Sequence, residues 1–139
     1  PMFLMKNKDI PFFDTSISNK TILNHSISLI NNKSIEDFKN KTNLEIETQR
    51  FRGNMFIDGI EAWEERNWIG KIIRINNIQF KVEKNIPRCV AINLKPNTDD
   101  NSLNLLQSLK KNYNHFDMGI YLTALDDGQV NIGDNVLIK

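Results

Sequence analysis

The sequence predicts a mainly β fold, a mainly antiparallel barrel or sandwich with short helical insertions. Three observations predict it. Short segments of alternating apolar and polar residues recur along the chain, only two brief stretches carry helical spacing, and strand–helix–strand alternation is absent. The 139 residues suffice for one core and are too few for two.

Residues 1–20 show no clear period, contain Pro11, and read as a loosely ordered lead-in; residues 21–139 read as the domain. Residues 21–30 are rich in β-branched side chains, with Leu23, His25, Ile27 and Leu29 on one side of a pleat, which predicts a strand broken by Asn31 and Asn32. Ser34-Ile35-Glu36-Asp37 resembles a capping box and predicts a short helix to about Lys41, with Ile35 and Phe38 turned inward. Residues 71–84 are the clearest hairpin: Ile73 and Ile75, then Asn76-Asn77 for the positive-φ turn positions, then Ile78, Phe80 and Val82 alternating with polar residues. Residues 89–94 read as a short apolar strand. Ser102 is placed to cap a second helix with Leu103, Leu106, Leu109 and Tyr113 on one face. Residues 118–125 read as a strand, Asp127-Gly128 as a turn, and residues 130–138 as two short strands around Gly133-Asp134.

Composition excludes several function classes. The chain is 40% hydrophobic and 25% charged, as an ordinary globule is. Lys+Arg 18 against Asp+Glu 17 gives a net charge of +1, which argues against bulk binding to nucleic acid or to an anionic membrane. No apolar run approaches spanning length and no signal peptide opens the chain, so a cytoplasmic location is expected. One cysteine excludes an internal disulfide, a CxxC pair and a multi-cysteine zinc site. His25 and His115, far apart, argue against a His-rich metal site.

Three segments differ from plain strand filler. In an extended chain, Arg50, Arg52 and Asn54 lie on one side, and two guanidinium groups with an amide suit an oxyanion; the same residues also read as an exposed polar face. Trp63 and Trp68, with Glu64 and Glu65 between them, read as packing anchors under a solvated charged face, or as a pocket wall. Cys89 follows Pro87 and Arg88. A cysteine entering a strand reads as a small buried hydrophobe, but a neighbouring cation favours the thiolate, the form that binds metal or attacks sulfur.

On these residues the chain resembles MOSC domains, the C-terminal domains of molybdenum cofactor sulfurases, which also form the core of the mitochondrial amidoxime-reducing component. The carriers are FRGN (residues 51–54), IDG (57–59), AWEE (62–65), RC (88–89), GIY (119–121) and GDNV (133–136), in this order. The resemblance implies a MOSC-type β-barrel. It implies the pterin molybdenum cofactor with Cys89 as metal ligand and catalytic residue. Arg52, Asn54, Arg88, Tyr121 and Ser34 would then be cofactor-side residues. The chemistry fits: a soft thiolate suits a high-valent molybdenum centre, and fixed arginines offset a phosphorylated pterin.

The expected activity is reduction of an N–O or related bond in a small-molecule substrate, with electrons from a donor protein. The alternative is a sulfur carrier in which Cys89 receives a persulfide from a pyridoxal-phosphate-dependent cysteine desulfurase. A third reading is a partner-binding barrel with an inert thiol. Two departures stand out. Gly53 replaces a common proline, and Lys95 replaces a common acid in Lys95-Pro96-Asn97-Thr98. Related proteins carry a further N-terminal portion that helps grip the cofactor phosphate. Residues 1–20 cannot hold it, so the chain is expected to be a fragment of a longer parent or a minimal homologue, without cofactor if incomplete.

Overall fold

The computed structural model describes residues 26–139. The strands are β1 (Ile27–Asn31), β2 (Met55–Ile57), β3 (Ile72–Ile75), β4 (Ile78–Pro87), β5 (Asp117–Ala124) and β6 (Val136–Ile138); the helices are α1 (Asn32–Thr42) and α2 (Leu105–Tyr113). The strands form one sheet in the order β2-β1-β5-β4-β3-β6, curled into a half-barrel. The expected mainly β architecture with short helical insertions is therefore the observed one.

Alternation explains the curl. Ile27, Leu29, Ile73, Ile75, Phe80, Val82, Ile120 and Leu122 project to one face, and Trp68 fills the hollow among them. A second core lies outside the sheet, where Ile30 and Met118 meet Ile35 and Phe38 of α1, Leu105 and Leu109 of α2, and Phe51 and Ile92. β5 is buried on both sides as a result, except at Asp117, Tyr121 and Thr123.

The sheet is mainly antiparallel, as expected, with one parallel pair, β1 and β2, in register Leu29 with Met55. The connection between them carries α1 and a 3-10 turn at Thr48–Phe51, long enough for a crossover. The first strand ends at Asn31, as expected, and a helix starts at once at Asn32. Asn31 ends β1 and caps α1, its side-chain oxygen accepting from the Lys33 N–H at 2.9 Å, so Ser34 is not the cap. The cap of α2 is Asn104, which accepts from Gln107 N–H at 3.3 Å, rather than Ser102.

The hairpin forms with the expected register, Ile73 opposite Phe80 and Ile75 opposite Ile78, but only Asn76 of the pair has positive φ. Residues 89–94 are no strand, because the chain winds into a 3-10 turn at Val90–Asn93. Val130 is buried without joining a strand, which leaves β6 alone after the Gly133 turn. Residues 21–25 of the expected first strand, and the lead-in, lie outside the described residues.

Candidate functional site

Cys89 leaves the sheet just past the end of β4, heads the Val90–Asn93 turn, and is exposed. The alternative of a sealed apolar thiol is thus contradicted. Two arginines fix this shoulder. Arg88, partly buried, donates from Nε and Nη2 to the Met118 carbonyl and from Nη1 to the Phe51 carbonyl at 2.7 Å. Its backbone N–H donates to Phe116 O at 2.8 Å. One side chain therefore ties the end of β4 to the start of β5 and to the FRGN segment.

Burial lowers the Arg88 guanidinium to about 10, against the opposing pull of Tyr121, Cys89 and Asp117. It stays charged at neutral pH, but its direct hydrogen bonds go to carbonyls. Arg50 holds the other flank. It is 6% exposed, pairs with Glu47 at 3.0 Å, and donates to the Ile92 and Asn93 carbonyls. The extended segment expected around it does not exist. The Thr48–Phe51 turn and the left-handed backbone of Arg52 (φ 48°) rotate Arg50 inward and Arg52 outward.

The remaining polar residues line up across the outer face of the sheet. Ser28, Tyr121 and Lys84 are register neighbours on β1, β5 and β4. Asn54 is locked onto Ser28: its Oδ1 accepts from the Ser28 N–H at 2.8 Å and from the hydroxyl at 2.9 Å. Its Nδ2 makes no hydrogen bond among the described residues, and Asn54 itself is exposed. Tyr121 has its phenol pushed up by burial, with Arg88 opposing and Cys89 reinforcing, so it is protonated at neutral pH.

Glycine makes two close approaches possible. Gly119 has φ +87°, and a Cβ there would sit 2.8 Å from Leu29 O. At Gly53 a Cβ would meet Ile30 Cδ1 at 2.7 Å, the movable tip of a side chain, so a larger residue there calls for a shift of Ile30.

The structure thus ties Arg88 to Phe51, sets Arg52 against the chain that follows Cys89, and holds Asn54 on Ser28, which lies opposite Tyr121. Ser34 does not join them. It is fully buried, donates to Glu65 Oε1 at 2.9 Å, and accepts from the Trp63 N–H at 2.8 Å. Glu65, expected on a solvated face, is also fully buried and takes a further hydrogen bond from Asn31 at 2.8 Å. Sequence reasoning missed this carboxylate and the Arg50–Glu47 pair. An acid between two tryptophans was the one signal for Glu65.

Among the described residues no group of three or more His, Cys, Asp or Glu could hold a metal ion.

The MOSC domain family model matches residues 18–137. Molybdenum cofactor sulfurase of Drosophila melanogaster is 33% identical over 123 residues, covering 80% of this chain and 15% of that protein. The Bombyx mori sulfurase is 33% identical over 93 residues, 66% of this chain and 11% of its own length. Mitochondrial amidoxime reducing component 2 of Rattus norvegicus is 31% identical over 72 residues, 52% of this chain and 21% of that protein. The chain thus spans a small part of these curated relatives. Among solved structures, YiiM from Geobacillus stearothermophilus superposes with a TM-score of 0.59 at 14% identity, covering 81% of this chain and 53% of the other, a likeness of fold.

Proposed function

The chain belongs to the MOSC domain family, and from that premise we propose that it holds a molybdenum cofactor through Cys89 and serves reduction of an N–O or related bond. The observation that carries this reading is a solitary exposed thiol on a shoulder fixed by two arginines, with no rival ligand cluster among the described residues. When bound, the cofactor supplies two-electron redox chemistry at its metal. The chain's own residues do the rest. Cys89 offers a soft thiolate as one ligand. Arg88 acts as a positioning residue, since its guanidinium holds the backbone on both sides of the thiol. Arg52, exposed and without an ion pair among the described residues, offsets the anionic charge of a pterin phosphate. Asn54, oriented by Ser28, presents its Nδ2 as a donor. Tyr121 keeps a proton on Oη at neutral pH. A donor protein and a small-molecule substrate complete the scheme.

Molybdenum content tests it. Protein from a cofactor-competent host should carry about one molybdenum per chain, and Cys89→Ala should lose at least about tenfold of it. Because Cys89 is exposed, that variant should melt within about 0.5 kcal/mol of the parent. Full metal content in the variant overturns the ligand role.

The names of the sulfurase relatives favour a second reading, sulfur carriage. Here the Cys89 thiolate attacks the outer sulfur of a persulfide on a pyridoxal-phosphate-dependent desulfurase. The sulfur–sulfur bond breaks, the desulfurase thiolate leaves, and Cys89 keeps the persulfide. Mass spectrometry after incubation with such a partner should find one added sulfur atom on Cys89. An unmodified thiol under transfer conditions sinks this reading.

A further inference from the structure

The short connection from α2 to β5 holds an imidazole in a constrained position. Asn114 caps α2 in a left-handed conformation, with its N–H on the Lys110 carbonyl. His115 follows, stacked on Tyr113 with ring centroids 5.8 Å apart and edge-on to Trp63 at 5.5 Å. Trp63 is itself pinned, its N–H on Ser34 and its indole on Asp37. The His115 Nδ1 accepts from the Asp117 N–H at 3.0 Å. The β1–β5 register stops at Leu29 opposite Ile120, short of Asp117, so the imidazole takes an N–H that β1 does not reach. A nitrogen that accepts carries no proton. A second proton on the ring turns this acceptor into a donor aimed at another donor.

The same few residues hold the shoulder that carries the thiol. The Phe116 carbonyl accepts from the Arg88 N–H at 2.8 Å, and the Met118 carbonyl takes Nε and Nη2 of the Arg88 guanidinium. Asp117, between them, lies opposite Pro87 in the β4–β5 register, and its carboxylate pairs with Arg66 at 3.1 Å. Arg88 is bonded directly to Cys89. Contacts therefore run unbroken from the ring to Asp117, from its two neighbours to Arg88, and from Arg88 to the thiol.

The surroundings favour the neutral ring. Burial comes first, and the cations Arg66, on the Glu64–Trp68 turn, and Lys110, on α2, add to it against Asp117. On the far side, Tyr113 donates its phenol proton to Asp37 at 2.7 Å, and Asp37 is paired with Lys41 of α1 at 3.5 Å, so that side presents a balanced pair. A proton taken up by His115 is thus accommodated best by a ring that has left Asp117 and met water.

We propose that His115 is a proton-operated latch on the Cys89 shoulder. Neutral, it holds the start of β5 against Arg88. Protonated, it releases the Asp117 N–H and slackens the carbonyls that grip the guanidinium, which changes the reactivity of the thiol. The released ring binds a proton that the latched ring resists, so the open form gains population as pH falls below about 6.5. The latch goes beyond the cofactor reading and does not require a metal at Cys89.

The test uses the full chain without metal. Nitrogen-15 spectra of the His115 ring, and amide hydrogen exchange at residues 116–118 corrected for its intrinsic pH dependence, are followed from about pH 8 to about pH 5. Thiol labelling of Cys89 is read as the ratio of parent to His115→Asn at each pH. Asn offers an amide oxygen near the Nδ1 position and does not titrate, and the ionisation of the thiol itself cancels in the ratio. That ratio should be close to unity at about pH 8 and depart from it at least about threefold at about pH 5. Exchange at residues 116–118 should quicken over the same range in the parent and stay level in His115→Asn. His115→Phe, which cannot accept, should show the quick exchange at every pH. Unshifted amides in β3 and β4 verify that each variant folds, and the ring titration and exchange of the parent decide the matter if one does not. A ring that stays neutral to about pH 5, or that titrates while exchange at 116–118 stays level, overturns the latch. A constant labelling ratio beside quickened exchange overturns its coupling to the thiol. Molybdenum content is not read, so failure here is separable from failure of the cofactor reading.

Discussion

Inside the half-barrel, Trp68, Ile73, Phe80 and Leu122 pack against other apolar side chains. Around Cys89 the packing is done by Arg88 and Arg50, which reach carbonyl oxygens 37 and 42 residues away in sequence. The first region gains stability from area removed from water, which is non-directional and tolerates volume-conserving exchange. The second depends on a few charge-assisted hydrogen bonds with fixed geometry, each of which leaves a carbonyl unpaired if lost. A site built the second way can stay exposed and polar and still be rigid.

The comparison can be broken in three places. The largest effect is expected at Trp68→Ala, which empties the middle of the barrel and should cost about 3–5 kcal/mol in urea unfolding. A cost under about 1 kcal/mol would mean the inner core is not the main stabiliser.

Next comes Arg88→Met, which keeps the stem and removes the fork. It strands the Met118 and Phe51 carbonyls and should cost about 2–4 kcal/mol. The labelling rate of the Cys89 thiol should also change in the folded protein, a readout that loss of core packing at Trp68 would not move. An unchanged rate would sever the clamp from the thiol.

The smallest effect lies beside Trp63, whose indole stacks near Tyr113 and His115 and donates to Asp37 at 2.9 Å. Burial, helped by the Arg66 charge, holds the His115 imidazole below its ordinary range. The unfolded chain therefore binds the extra proton first, and stability is lost as pH falls below about 6.5. For Asp37, burial raises the carboxyl, but donation from Trp63 and Tyr113 together with Lys41 outweighs it and holds it low. Its contribution is lost only at more acidic pH, as the carboxyl protonates. Melting temperatures should therefore drop from pH 7 to pH 5 in the parent and drop less in His115→Gln. A flat parent profile would remove the cluster from the pH response.

Much of the fold was legible. The β3–β4 hairpin and β5 follow from period-two alternation, because burying one face of a pleat is a local signal repeated every second residue. The turn at residues 48–52 was not. Arg50, Phe51 and Arg52 read as alternating only if the chain is extended, and nothing local shows that Phe51 must enter the second core. Residues 89–94 failed the same way: a short apolar run cannot distinguish a strand from a 3-10 turn. Motif order brought Cys89, Arg52 and Asn54 forward as the site, and it placed Ser34 there as well. Ser34 is instead spent on Glu65, a partner 31 residues away.

By itself the sequence determined that short alternating strands would build a mainly β fold and which family the motifs belong to. Only the tertiary structure decided that Arg50 and Arg88 serve as clamps and that β1 and β2 run parallel. The physical reason is range. Apolar burial is written into spacing along the chain, whereas the direction of a long polar side chain is set by carbonyls and carboxylates that folding brings from elsewhere.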